Sequence, residues 1–218
     1  MNRKGIPILV QRLIRLLGLC KNYFPENSEE EFMTVARTLL RVIDSIDHYT
    51  YSHSLRVATY AEQLADEINL STADKKSLRH GALLHDVGKI SVGKKILCKN
   101  GPLTDEEWLI VKRHPLIGAE LLEDSGHFSH IIPMVKHHHE SFDGNGYPEG
   151  LAGERIPFQA RILAIADSFD AITTNRPYSP DRSVSEALKE IKRCSGSQFD
   201  PVMVDAFTGA IELRFKHN

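Results

Sequence analysis

Seven residues of the types that hold cations fall on or beside apolar, helix-like stretches: His53, His85, Asp86, His114, His138, His139 and Asp167. Between successive stretches the gaps run from 24 to 32 residues, about one helix pair each. A bundle in which each helix pair returns a ligand to a shared centre gives that spacing. Five imidazoles and two carboxylates exceed what one four-coordinate zinc accepts. They suit two divalent ions bridged by a carboxylate, each near octahedral, with iron or manganese favoured and zinc, cobalt or nickel as substitutes. Asp167 follows the apolar run "ILAIA", and a buried ionised carboxylate must be paired or bind a cation.

Taken singly, each residue has a plainer reading. His53 is an ordinary histidine on an amphipathic helix, His114 ends a helix before Pro115, and Asp167 pairs with Arg161 or Arg176. His48, His80, His127, His130 and His137 are read in that ordinary way. It is the conjunction, with the His85-Asp86 doublet at its centre, that points to metal.

Such a set needs rigid elements to position it, and the periodicity is helical almost throughout. Phe32, Val35, Leu39, Val42/Ile43 and Ile46 make one apolar face; Leu55, Ala58, Ala61, Leu64/Ala65 and Ile68 make another. Ser71 reads as an N-cap, and Thr104 with Glu107, and Ser183 with Glu186, as capping boxes. One helix should stop near Pro115, the next restart after it and end at Gly126, and a short one carry Pro133 near its beginning. Gly196 stops a further helix, and Asp200 caps one that has Pro201 at its first position. No stretch alternates long enough for a strand, so the fold class is all-α. The irregular segment 141–157 is too long for a plain connection and reads as functional.

The chain has 218 residues, 41% hydrophobic and 26% charged, with a formal net charge of −2. A packed core is feasible, and a nucleic acid polymer is disfavoured as partner. Three scattered cysteines, with no CxxC, fit reduced thiols in the cytoplasm. No apolar run approaches the ~20 residues of a membrane span. Residues 1–20 carry Leu9, Leu13, Leu16 and Leu17 at helical spacing with Arg12 and Arg15 between them. They read as a helix packing on the domain or on a second subunit, ahead of membrane contact. Residues 1–45 are taken as a helical lead-in for dimerisation or signalling, and 46–218 as the catalytic domain.

From Asp47 to Phe207 the sequence resembles the HD-GYP family, a branch of the HD metal-dependent phosphohydrolases. The resemblance is carried by "HSLRVA", "LLHDVGKI", "HPLIGAELL", "HHESFDGNGYPEGLAGERIP", "RILAIADSFDAIT", "RPY" and "FDP". It implies an HD-type helical bundle with a dinuclear site and a Gly-rich GYP loop, and hydrolysis of cyclic di-GMP to pGpG, often onward to GMP. One metal would take His53, His85, Asp86 and Asp167; the other would share Asp86 and take His114, His138 and His139. Asp86 and Lys89 would be catalytic, and Lys89, Arg176 and Tyr147 would meet substrate. Glu140 and Asp143 would orient ligands or loop, and Gly144, Gly146 and Gly150 would bend it with positive φ.

The expected chemistry is in-line attack on the phosphodiester by a hydroxide bridging the two ions. The family also implies a diguanylate-cyclase partner at the GYP loop. Two departures stand out. Tyr49 replaces the carboxylate with which some members hold a third metal, so two are expected. Ser179 follows "RPY" where a basic residue is common, with Arg182 as a substitute. Action on another cyclic dinucleotide, or a low-activity sensor module binding cyclase partners, are the alternatives.

Overall fold

The computed structural model describes residues 29–125, 128–174 and 182–216. Among them there is no strand beyond an isolated bridge between Ser195 and Phe199. Ten α-helices are described: α1 (Glu29–Ile46), α2 (His48–Glu67), α3 (Thr72–Leu84), α4 (Lys94–Leu97), α5 (Asp105–Val111), α6 (His114–Ser125), α7 (Ile132–His137), α8 (Phe158–Thr173), α9 (Val184–Arg193) and α10 (Pro201–Lys216). Short 3₁₀ helices span Val87–Ser91 and Gly153–Arg155. No described helix is long and apolar enough to cross a membrane.

Helix starts follow local chemistry. Ser71 accepts from the Asp74 N–H, and Thr104 with Glu107 and Ser183 with Glu186 close full capping boxes. Such caps satisfy amide donors that a helix leaves open at its start. Asp200 caps α10 by accepting from the Val202 N–H at 2.9 Å. Helix α6 begins at His114, not after Pro115, because a proline in the first turn forfeits no intrahelical hydrogen bond.

α2 is the central helix, packed against α1, α3, α8 and α10. It buries Thr50, His53, Ser54, Val57, Ala58, Ala61, Leu64 and Ala65. Leu55, expected on the inner face, is 43% exposed. The helix is turned so that His53 points inward, and a residue two positions on then lies near the opposite side at 3.6 residues per turn. α1 contributes Phe32, Val35, Leu39 and Ile43 to the same core, so the described part of the lead-in packs with the rest. Phe128, Phe169 and Phe207 are fully buried there, each worth roughly 1.5–3 kcal/mol of apolar burial.

Close packing at Gly88 positions the site. A Cβ on Gly88 would stand 2.0 Å from the His114 carbonyl oxygen and 2.6 Å from the Gly118 nitrogen. Only glycine lets the 3₁₀ segment after His85-Asp86 lie directly on the first turn of α6. Cys98 is exposed and Cys194 buried, both as free thiols. Residues 1–28, with the apolar and basic pattern noted above and Cys20, and the "RPYS" stretch with Arg176 and Ser179, lie outside the described residues.

Candidate metal centre

Five elements bring the seven residues together. His53 comes from α2 and Asp167 from α8; His85 and Asp86 follow the end of α3; His114 opens α6; His138 and His139 follow α7. They gather as two groups, one of His53, His85 and Asp86 and one of His114, His138 and His139. Asp167 belongs with the first, its Oδ1 2.9 Å from His53 Nε2 and 4.0 Å from His85 Nε2. Asp86 stands between the groups. Its Oδ2 lies 3.5 Å from His85 Nε2 and 3.8 Å from His53 Nε2, and its Oδ1 lies 3.2 Å from His114 Nε2.

The outward ring nitrogens are already spoken for. The Nδ1 atoms of His85, His114 and His138 each lie 2.7 Å from a backbone carbonyl oxygen, of Ala82, Val111 and Val135 respectively. A carbonyl only accepts, so each Nδ1 carries the proton and each Nε2 presents a lone pair inward. His114 and His138 consequently face each other with bare Nε2 atoms 3.3 Å apart. His85 Nε2 and Asp86 Oδ1 are buried without a hydrogen-bond partner. Lone pairs that converge in a buried space, unpaired, are costly unless a cation sits among them. The donor set, imidazole nitrogen and carboxylate oxygen, fits first-row divalent ions.

Protonation states agree. Burial alone would lower the pKa of His53, but hydrogen bonds to Asp167 and Asp170 and the charge of Asp86 overcome it and raise it to about 9. Burial holds His85 below its usual range, His138 well below, and His139 down to about 3. Burial would raise Asp86, yet Lys89, His85 and His114 hold it well below the usual carboxylate range; His53 does the same for Asp167. At neutral pH the pocket therefore offers ionised Asp86 and Asp167 and neutral imidazoles at His85, His138 and His139, the forms that bind metal, whereas His53, protonated between its carboxylates, would release its Nε2 proton on ligating an ion.

Lys89 Nζ lies 2.6 Å from Asp86 Oδ2. Helix α3 ends at Leu84, before this pair, and the 3₁₀ turn Val87–Ser91 that follows Asp86 places residues three apart on one face. Glu140 is buried and accepts from the backbone N–H groups of Glu149 (2.8 Å) and Leu151 (3.1 Å), fastening the loop 141–157. Asp143 closes an Asx turn on Asn145, its two oxygens 3.0 Å from that residue's N and Nδ2. Gly144 and Gly150 have φ of 86° and 66°. Gly146 is not among the positive-φ glycines; its Cβ would sit 2.1 Å from the Ser141 nitrogen, so close approach, and not φ, demands glycine there. The Tyr147 ring packs on His139 with centroids 4.9 Å apart, and Lys112 Nζ lies 5.6 Å from its centre. A cleft of about 250 Å³ opens beside the centre, lined by His138, His139, Tyr147, Lys112, Asp167 and Gln198 among others.

Asp170 and Arg56 were not singled out from sequence. Asp170 Oδ2 lies 2.7 Å from His53 Nδ1, and Arg56 grips the same carboxylate at 2.6 and 3.0 Å. The available signal was a second acid one turn beyond Asp167 and an arginine one turn beyond His53, each on the same helix face as its neighbour. Arg161, one ordinary partner expected for Asp167, pairs with Asp200 instead.

The HD domain family matches residues 37–203. Over 183 residues the chain is 40% identical to the cyclic di-GMP phosphodiesterase response regulator RpfG of Xanthomonas campestris, spanning 83% of this chain and 48% of that protein. It is 36% identical over 173 residues to the 3'3'-cGAMP-specific phosphodiesterase 3 of Vibrio cholerae, spanning 79% of this chain and 38% of that one. The chain thus spans about half the length of these relatives or less. Among solved structures it resembles Bd1817, an HDG"Y"P protein from Bdellovibrio bacteriovorus, with a TM-score of 0.65, 18% identity and coverage of 94% of this chain and 69% of that one.

Proposed function

Because the chain belongs to the HD domain family, we propose that it is a metal-dependent phosphodiesterase that hydrolyses cyclic di-GMP to pGpG, with GMP as the further product. The observation that carries this reading is the inward convergence of lone pairs, with His114 Nε2 and His138 Nε2 only 3.3 Å apart and His85 Nε2 and Asp86 Oδ1 buried unpartnered. His53, His85, Asp86 and Asp167 would hold one divalent ion, and Asp86, His114, His138 and His139 a second, iron or manganese by the donor set. Bound there, two such ions lower the pKa of water and neutralise charge developing on a phosphodiester.

The protein's own groups do the rest. Asp86, one oxygen toward each group, fixes the distance between the two halves of the site. Lys89 holds that carboxylate ionised and supplies a cation for nonbridging phosphate oxygens. Removing one such preorganised donor typically costs ~10²–10³ in rate. The Tyr147 phenol, whose pKa burial pushes up, stays neutral and walls the cleft. Arg176, outside the described residues, is assigned to substrate phosphate from its motif. In the same reading the 141–157 loop meets a diguanylate-cyclase domain, residues 1–45 serve dimerisation or signalling, and the chain works in the cytoplasm; these parts rest on resemblance and composition.

A second reading, hydrolysis of a different cyclic dinucleotide, is favoured by the similarity to the cGAMP-specific phosphodiesterase of Vibrio cholerae. Anaerobic purification with metal quantitation, then turnover of cyclic di-GMP, cyclic GMP-AMP and cyclic di-AMP with product identification, separates the two. Two metals per chain and preferred turnover of cyclic di-GMP are expected. A folded protein that takes up no iron, manganese or zinc ends both readings.

A further inference from the structure

The cleft beside the metal centre continues past Gln198. A second cleft of about 310 Å³ adjoins it, and Ser168 and Gln198 line both. The first alone falls short of the ~300–1,000 Å³ usual for small-molecule sites; the pair falls inside that range. Ala171, Ile172 and Phe199 give the second cleft apolar wall, and Arg182 adds an exposed cation. Its one carboxylate, Glu190, is neutralised by Arg193 at 2.6 and 3.0 Å, so it does not repel an anionic ligand.

The junction is held in place. The Phe142 N–H donates to the Gln198 carbonyl at 3.1 Å and the Asp143 N–H to the Ser197 carbonyl at 2.8 Å, fixing the turn that carries Gln198 to the 141–157 loop. On the other side the Arg182 N–H donates to the Ile172 carbonyl at 3.1 Å, tying the approach to α9 to the end of α8. Neither the Ser168 hydroxyl nor the Gln198 carboxamide makes a side-chain hydrogen bond among the described residues. A carboxamide offers two donors and an acceptor, and a hydroxyl one donor and an acceptor, enough to read a nucleobase edge.

We propose that the second cleft seats the distal nucleoside of a cyclic dinucleotide whose scissile phosphodiester lies at the metal centre. The proposal rests on the phosphodiesterase reading and narrows it: a diester carrying two nucleosides fills both clefts, and a small diester fills only the first. Ile172 and Ala171 contact the base face, Ser168 and Gln198 its edge, and Arg182 the anionic backbone.

The test uses the metal-loaded full chain, with cyclic di-GMP and bis(p-nitrophenyl) phosphate as paired substrates. Ile172→Trp fills the cleft and Arg182→Glu reverses its charge. Each variant is expected to lower kcat/KM for cyclic di-GMP relative to that for the aryl diester by at least about tenfold, mostly through KM, the size of effect a reshaped pocket gives. The aryl diester reports folding and metal loading in the same sample. A ratio unchanged in both variants overturns the subsite and leaves the phosphodiesterase reading standing. A wild type that turns over the aryl diester and no cyclic dinucleotide overturns both.

Discussion

His53 presents Nδ1 to Asp170 at 2.7 Å and Nε2 to Asp167 at 2.9 Å, so one imidazole is held between two carboxylates. The other three oriented histidines, His85, His114 and His138, lean on neutral carbonyls. A carboxylate behind a ligating imidazole fixes its tautomer and raises its basicity more than a carbonyl does. Asp170 is itself kept ionised, since burial would raise its pKa but His53 and Arg56 lower it. Asp170→Asn is therefore expected to weaken one metal site by about 10- to 100-fold, leaving the His114 site within a few-fold. Stepwise metal titration with calorimetry measures both. Equal loss at the two sites, or none, contradicts this asymmetry.

Gly88 makes a sharper prediction. Both atoms that a Cβ would strike belong to backbone, the His114 oxygen and the Gly118 nitrogen, so no side chain can swing away. In Gly88→Ala, α6 must shift, at a cost of roughly 1–3 kcal/mol or more, and His114 must move from Asp86. A lower melting temperature together with loss of about one metal per chain is expected. Gly209→Ala, with nothing near its added Cβ, is the control and should melt close to wild type. A Gly88→Ala protein that retains full metal content would show that the two elements do not need this approach.

How much of this was legible beforehand follows from where each signal lives. Asp86 and Asp167 stood out because an acid on an apolar helical stretch is anomalous within a few residues of sequence. The capping boxes at Thr104 and Ser183 are likewise local patterns. Asp170 lies 117 residues from the histidine it orients, and nothing in its own neighbourhood announces that partner. Gly146 was legible as a bend but not as a close approach, since the clash is with Ser141 and Glu140 across the folded loop. Leu55 shows the limit of periodicity: the rotation of α2 is decided by the polar site that it must feed, against one leucine's preference for the core.

Glu140 is expected to govern the order of the glycine-rich loop. Its two oxygens accept from the amides of Glu149 and Leu151, and hydrogen bonds to a charged acceptor contribute about 1.5–3 kcal/mol each. Glu140→Ala leaves both amides without that acceptor. Hydrogen exchange at Glu149 and Leu151 should then accelerate at least tenfold while amides of α2 and α8 keep their protection. Uniform acceleration would mean that Glu140 supports the whole fold; unchanged exchange would mean that the loop is held by other contacts.

The remaining prediction concerns acid stability away from the metal centre. His80 is 3% exposed, stacks on Phe32, and has Nε2 3.2 Å from Glu29 Oε1 and Nδ1 3.3 Å from His130 Nε2. Burial lowers its pKa to about 4; Glu29 opposes the shift, and His130 and Lys76 add to it. In the unfolded chain the same imidazole titrates near ~6.5. Between these values the unfolded chain binds more protons, so stability rises with pH across the window. The contribution is complete above about 6.5 and is lost as pH falls toward 4. His80→Asn removes the titration, so the difference in melting temperature between wild type and variant should shrink on acidification through that window and level off below it. A difference that stays constant, or widens as pH falls, would show that His80 is not held neutral by its burial between α1 and α3.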